Sequence, residues 1–267
     1  MTSDIGKAIA EAYRWQRRLG NTGLAATCCH IVANPSLSQV WDANHADAVT
    51  ARTDLEIASV FAAMDAHLSH TPWRVVHTDC FTPDAFLGRL ALDGFREQPV
   101  TIQMVLQGEL SDKGPIVEIR PVLDDTDWRV MHSLVALDHA EGRRTAGLAV
   151  MPEFTTSMVS AYRAKRPHYH FNLIIQDGAP VAYGAYAIAP NGVGMIEDLF
   201  TLPTARRRGI ATAMIAAFSD RLRASGCRVI FLGALASEQP KHLYARLGFC
   251  PVGLARSWVM KKAEATC

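Results

Sequence analysis

Apolar residues recur at helical spacing in several segments of the chain, and short strand-like runs separate them. Leu55, Ile57, Val60, Phe61, Met64 and Leu68 predict a helix over 54–69. Ile210, Met214, Ile215, Phe218 and Leu222 predict another over 205–225, closed by Gly226. Before residue 109 the pattern reads as a helix at 4–19, strands at 24–33 and 39–50, and the 54–69 helix. A strand at 73–79, a helix at 82–93 capped by Thr82 with Pro83 in its first turn, and a strand at 99–108 follow. Residues 109–115 are polar and contain Gly114-Pro115, which predicts a linker and two domains, 1–113 and 114–267. The pattern then restarts with a strand at 116–122 and helices at 125–137 and 154–165. Strands at 168–176, 180–189 and 193–202 come next, turning at Asp177-Gly178 and Pro190-Asn191-Gly192. After the 205–225 helix come a strand at 227–234, a helix at 239–247 and a strand at 250–260. The expected class is α/β with a mixed sheet.

Composition narrows this. The 267 residues are 49% apolar, enough for a real core. The net charge of +1 gives no global attraction for nucleic acid or membrane. Charge is uneven, though: residues 1–113 hold 9 Lys+Arg against 13 Asp+Glu, and 114–267 hold 18 against 13. None of the six cysteines has C-x-x-C spacing, and most lie in apolar stretches that suggest core positions. No signal-peptide pattern and no apolar run of transmembrane length occur, so a cytoplasmic place is expected.

Residues 193–212 carry the most specific signal. An apolar strand ends at Pro203, and Arg206, Arg207, Arg208 and Gly209 lead into the helix. The first amides of a helix lack internal partners and, with the helix dipole, favour an anion such as a pyrophosphate. Three arginines are poorly placed at a helix start unless an anionic ligand meets them. No aromatic interleaving accompanies them, which argues against nucleic acid. Arg206-x-x-Gly209-x-Ala211 resembles the acyl-CoA signature of the GCN5-related N-acetyltransferases, the GNAT superfamily. Downstream, Tyr244-Ala245-Arg246-Leu247-Gly248-Phe249 resembles that family's Y-x-x-L-G-F signature, and the element order after the linker is also that of the family. The N-terminal half echoes the pattern, with Leu90 to Phe95 placed like Leu247-Gly248-Phe249, and resembles a degenerate GNAT half, as in tandem members.

The resemblance implies an acetyl-CoA-dependent N-acetyltransferase acting by direct attack of a primary amine, with acetyl-CoA as cosubstrate and no metal. Backbone groups of Leu199, Phe200 and Thr201 would pair with the pantetheine arm, and Arg206, Arg207, Arg208, Gly209, Ile210, Ala211 and Thr212 would hold the pyrophosphate. Glu197 would be the general base and Tyr244 the general acid. Glu197 and Asp198 point to opposite faces of a regular strand, so only one would face the acceptor unless a bulge intervenes. Ser237 stands where many family members have a CoA-contacting Asn, and Ala211 where a glycine is common. Trp128, His132, Asp138 and His139 are candidates for acceptor specificity, although packing is the commoner role for each. The expected acceptor is a small molecule rather than nucleic acid or a membrane. The competing class is a non-catalytic acyl-CoA-binding regulatory module.

Overall fold

The computed structural model describes residues 2–262; Cys267, among the cysteines, lies outside them. The chain folds as two compact units. The first takes residues up to 103, 234–238 and those from 252 on; the second takes 104–233 and 239–251. The sequence suggests a single boundary after 113, whereas the chain passes between units at 103–104 and three times more.

In the first unit, helix α1 (Thr2–Arg18) precedes a hairpin of β1 (Thr22–Ala25) and β2 (His30–Ala33), then β3 (His45–Asp47), α2 (Asp54–His67), β4 (Trp73–Thr78), α3 (Asp84–Leu92) and β5 (Arg96–Glu97). β6 (Thr101–Leu106) runs into the second unit. β1, β2 and β3 are antiparallel neighbours, and β3 lies parallel to β4. The part of β12 (Phe249–Lys261) beyond Val252 completes this sheet, running antiparallel to β4 from Arg256↔Thr78 to Lys261↔Trp73. Ile31, Ala46, Ile57, Val60, Met64, Phe86, Leu90 and Trp258 share one buried cluster under the sheet. Thr53 and Glu56 form a reciprocal capping box that starts α2.

The local differences from sequence have physical causes. The expected strand 24–33 is a hairpin, because Cys28 and Cys29 lie in its turn, where Ala26 N donates to Cys29 O. The expected strand 39–50 shrinks to β3, since 41–43 form a 3-10 turn and Ala48 is left-handed at φ 51°. Thr82 does not cap α3; its hydroxyl accepts from Asp79 N and closes the preceding turn, and Pro83 is the cap residue. Cys29 and Cys227 are buried and half-buried Cys28 packs against the core of the first unit, whereas Cys80 and Cys250 are exposed.

The second unit holds β7 (Glu118–Pro121), α4 (Asp125–Thr145), α5 (Pro152–Ala164), β8 (Tyr169–Gln176), β9 (Ala179–Ile188), β10 (Val193–Thr201), α6 (Ile210–Ala224), β11 (Val229–Leu235, its last two residues in the first unit) and α7 (Pro240–Leu247). Its strands lie in the order β11-β10-β9-β8-β7, a mixed sheet in which only the β10–β11 pair is parallel. The β8–β9 turn is Asp177-Gly178, both at positive φ, as a tight two-residue hairpin requires. α4 runs to Thr145, well past the expected 137, and its last turns carry Asp138 and Glu141. α6 starts at Ile210 rather than 205, because 203–205 form a 3-10 turn and Arg207 and Gly209 are left-handed.

α6 packs closely on the sheet through two glycines. A Cβ on Gly194 would come within 3.0 Å of Leu222. One on Gly184 would sit 2.7 Å from Met214 Sδ, 2.8 Å from Leu199 Cδ2 and 3.1 Å from Phe218. Gly184→Val should therefore destabilise the fold by about 1–3 kcal/mol through overpacking, despite the better strand propensity of valine. The denaturant midpoint measures this, and a midpoint equal to that of the parent would contradict the packing described.

Candidate active site

β10 is irregular where the candidate carboxylates lie. Glu197 pairs with Ala185 and Phe200 with Tyr183, so Asp198 and Leu199 together oppose Gly184. Asp198 is left-handed at φ 55°. This two-against-one arrangement is a β-bulge, which re-aims side chains and so lifts the alternation that would send Glu197 and Asp198 to opposite faces. Asp198 Oδ1 accepts from the Tyr162 hydroxyl at 3.0 Å, and Glu197 Oε1 is shielded from solvent. The parallel ladder to β11 ends at Ile196↔Leu232, so beyond it β10 continues with β9 as its ladder partner among the described residues.

α4 brings further carboxylates to the same region. Asp138 Oδ2 accepts from the Tyr183 hydroxyl at 2.6 Å. Burial pushes the Asp138 carboxyl up to about 6; negative Asp198 and Glu141 add to this, while the Tyr183 bond and Arg206 oppose it. Burial and these carboxylates hold the Tyr162 and Tyr183 phenols protonated, well above the ordinary tyrosine value, so both act as donors. Glu141 receives Arg206 in a bidentate pair at 2.7 and 2.6 Å. Arg206 Nε also donates to Thr201 O at 2.9 Å, so this arginine ties the end of β10 to α4. His139 and His132 lie near Thr155 and Thr156 at 3.1 and 3.3 Å and join α4 to α5. Trp128 is buried against Phe171.

The turn into α6 is open in a different way. Arg207, Arg208 and Gly209 are exposed, and Gly209 at φ 77° begins α6 with no side-chain cap on its first amides. Pro115 leaves no room for a side chain at Gly209, since a Cβ there would lie 2.7 Å from the proline Cδ. Ile210 and Thr212 are buried and face the fold rather than the turn, and Ala211 is half-buried.

Glu197, Leu199, Phe200, Thr201 and Arg206–Thr212 thus fall on one strand–turn–helix segment. Tyr244 is buried on α7 of the same unit, 6.5 Å from the Phe249 ring, and Gly248 at φ 104° closes that helix. Ser237 is exposed in the turn after β11, in the residues that group with the first unit. Sequence reasoning missed Tyr162 and Tyr183, which look like ordinary core aromatics. It also underweighted Asp138, although a carboxylate on an otherwise apolar helix face was a usable signal.

Residues 130–249 match the profile of the acetyltransferase (GNAT) family. The fold resembles a functionally unknown conserved protein from Staphylococcus epidermidis ATCC 12228, with TM-score 0.69, 12% identity and coverage of 92% of this chain and 96% of the other. A GCN5-related N-acetyltransferase from Kribbella flavida gives TM-score 0.66, 16% identity and 97% coverage of both chains. A tandem GNAT protein from the clavulanic acid biosynthesis pathway gives TM-score 0.59, 13% identity and coverage of 83% and 76%. No curated protein sequence matches the chain. The fold is that of GNAT proteins, tandem members included, with a degenerate GNAT-like N-terminal half. The match to the GNAT acetyltransferase family is confined to residues 130–249. Among the described residues, no helix is long and apolar enough to cross a membrane.

Proposed function

We propose that the protein transfers an acetyl group from acetyl-CoA to the primary amine of a small molecule in the cytoplasm. The catalytic role falls to residues 114–267, and 1–113 serve as an accessory half. The observation that carries this reading is the end of the β10–β11 ladder at Ile196, immediately before the bulge at Asp198 and the uncapped start of α6. A strand edge left open beside a free helix N-terminus suits a ligand with an amide-bearing arm and a pyrophosphate. The arm pairs with Leu199, Phe200 and Thr201. The pyrophosphate meets the amides of Gly209, Ile210, Ala211 and Thr212 and the side chains of Arg207 and Arg208. Arg206 contributes by fixing the turn through Glu141 and Thr201.

An alkylamine is protonated at neutral pH and must lose a proton before it attacks. Glu197 accepts that proton, directly or through water. The amine nitrogen bonds to the thioester carbon, and a β10 amide stabilises the oxyanion. The carbon–sulfur bond then breaks, and Tyr244 returns a proton to the departing thiolate. Asp138 and Asp198, held by Tyr183 and Tyr162, supply negative charge for the cationic acceptor.

Incubating the protein with acetyl-CoA and a panel of small amines, with detection of free CoA thiol, tests the reading. The expected result is thiol release that rises saturably with at least one amine. Binding of acetyl-CoA without any amine-dependent release would favour the non-catalytic binding module instead.

A further inference from the structure

Residues 109–115 read as a linker in the sequence, yet they are tied down along their length within the second unit. At one end they close α7. The last carbonyls of a helix have no partners within it, and here the stretch from Gln107 supplies the donors. Gln107 N donates to Gly248 O at 3.0 Å, Ser111 N to Leu247 O at 3.3 Å, and the Ser111 hydroxyl to Arg246 O. All three carbonyls lie just beyond Tyr244.

The stretch then runs back along α6 as a strap. Arg223 pairs with Glu109 at 2.6 Å and donates to Gly108 O, and Lys113 pairs with Asp220 at 3.3 Å. Thr212, Ala213, Asp220 and Arg223 fall on one stripe of the helix. Met214, Phe218 and Leu222, which meet Gly184 and Gly194 of the sheet, lie on the opposite stripe. The strap reaches the first turn of α6 without slack. Asp112 Oδ1 accepts from Gly114 N at 2.8 Å, and Gly114 is left-handed at φ 65°. A Cβ on Gly114 would lie 2.8 Å from Ala213 N, 2.9 Å from Gly209 O and 3.2 Å from Thr212 Cβ. The first two are backbone atoms, which cannot swing aside. Pro115 in turn closes on Gly209 from the strap side, while Arg207 and Arg208 stay exposed.

We infer that Gly114 and Pro115 are positioning residues for the acyl-CoA pyrophosphate, holding the first amides of α6 where that group is received. The inference rests on the reading of this turn given above. A binding constellation has to be held to about 0.5 Å. The start of α6 has no side-chain cap to fix it, and the sheet grips the helix further along, at Met214, Phe218 and Leu222. The strap anchors the other face of the first turn, and its own base is the end of α7. Neither residue touches the ligand; both act through Gly209, Thr212 and Ala213.

Calorimetric titration of the full chain with acetyl-CoA, below the melting temperature of each variant, tests this. Pro115→Gly removes the ring that packs on Gly209 and adds no bulk. Gly114→Ala drives a methyl group into the first turn. Each should raise the dissociation constant about tenfold or more, as when hydrogen bonds to a charged group lose their alignment. Pro115→Gly covers the case in which Gly114→Ala does not fold. With a competent amine, kcat at saturating acetyl-CoA should stay within about twofold of the parent, since only cofactor binding is impaired. Leu222→Ala is the control. It opens the core toward the other end of α6 and lowers the melting temperature at least as far, yet acetyl-CoA affinity should stay within about twofold of the parent. Parent-like affinity in either folded strap variant would overturn the inference. Equal weakening in Leu222→Ala would do the same, because the strap would then give only general support. If the parent itself does not bind acetyl-CoA, the reading of the turn falls, and this inference with it.

Discussion

Glu197→Gln should lower kcat by about 10²–10³ and leave acetyl-CoA affinity almost unchanged. Glutamine keeps the shape of the side chain on β10 but cannot accept the ammonium proton. The rising limb of the pH–rate profile should move toward the pKa of the amine itself, because only acceptor already neutral in solution can then attack. Tyr244→Phe should show the complementary loss. It keeps the ring packed near Phe249 but removes the proton for the thiolate, so acceptors of every basicity should slow together. Steady-state rates for both variants against pH, with one competent amine, decide the matter. Parent-like rates in both would remove Glu197 and Tyr244 from the chemistry. Loss in Tyr244→Phe alone would move the base to a neighbouring carboxylate, with Asp138 and Asp198 the next to be replaced.

Asp138→Asn is expected to make the folded protein more stable at neutral pH. A folded-state value of about 6 lies above the ordinary 3.8 of an aspartate, so the folded state holds this proton more tightly than the unfolded chain does. Below about pH 4 the group is protonated in both states and has no effect. As pH rises from about 4 to about 6 the unfolded chain releases its proton first, and stability falls. Above that range the cost is complete, about 1–2 kcal/mol after allowance for partial solvent contact. Asparagine carries no such charge and can still accept from Tyr183. The variant should therefore match the parent near pH 4 and exceed it at pH 7 in denaturant unfolding. A gap that is constant with pH, or of opposite sign, would show that Asp138 is not strained by its surroundings. A cationic acceptor beside Asp138 should relieve the same strain, so the variant is also expected to raise KM for a cationic amine more than it lowers kcat.

The order of elements from β7 onward was legible because each helix and strand there has its own periodicity and its own stop, as with Gly226 after α6 and Asp177-Gly178 between β8 and β9. The turn chemistry around Gly209 and Gly248 was legible too, since both residues are left-handed and glycine is suited to that conformation. What stayed hidden depends on tertiary contacts. The bulge at Asp198 is a property of the β9–β10 register, and nothing local to Glu197-Asp198 announces it. Tyr162 and Tyr183 acquire their partners only when α5 and β9 converge with β10 and α4. Arg206 read as one of three equivalent phosphate ligands, yet Glu141, 65 residues earlier, holds it in a bidentate pair. In the first half, the short strand β3 was overread because small apolar residues continue past it, while the backbone leaves the sheet at Ala48.

The sharing of β12 sets an order on biosynthesis. Residues up to 103 leave the ribosome first, but the strand that pairs with β4 is made roughly 150 residues later. At about 5–20 residues per second this is an interval of about 8–30 s. Throughout it the edge of β4 that β12 will cover is open, flanked by the apolar cluster to which Trp258 belongs. The first unit to emerge is thus completed only by residues translated after most of the second. A nascent chain stalled before residue 252 should be a good client for a chaperone that binds exposed strand edges.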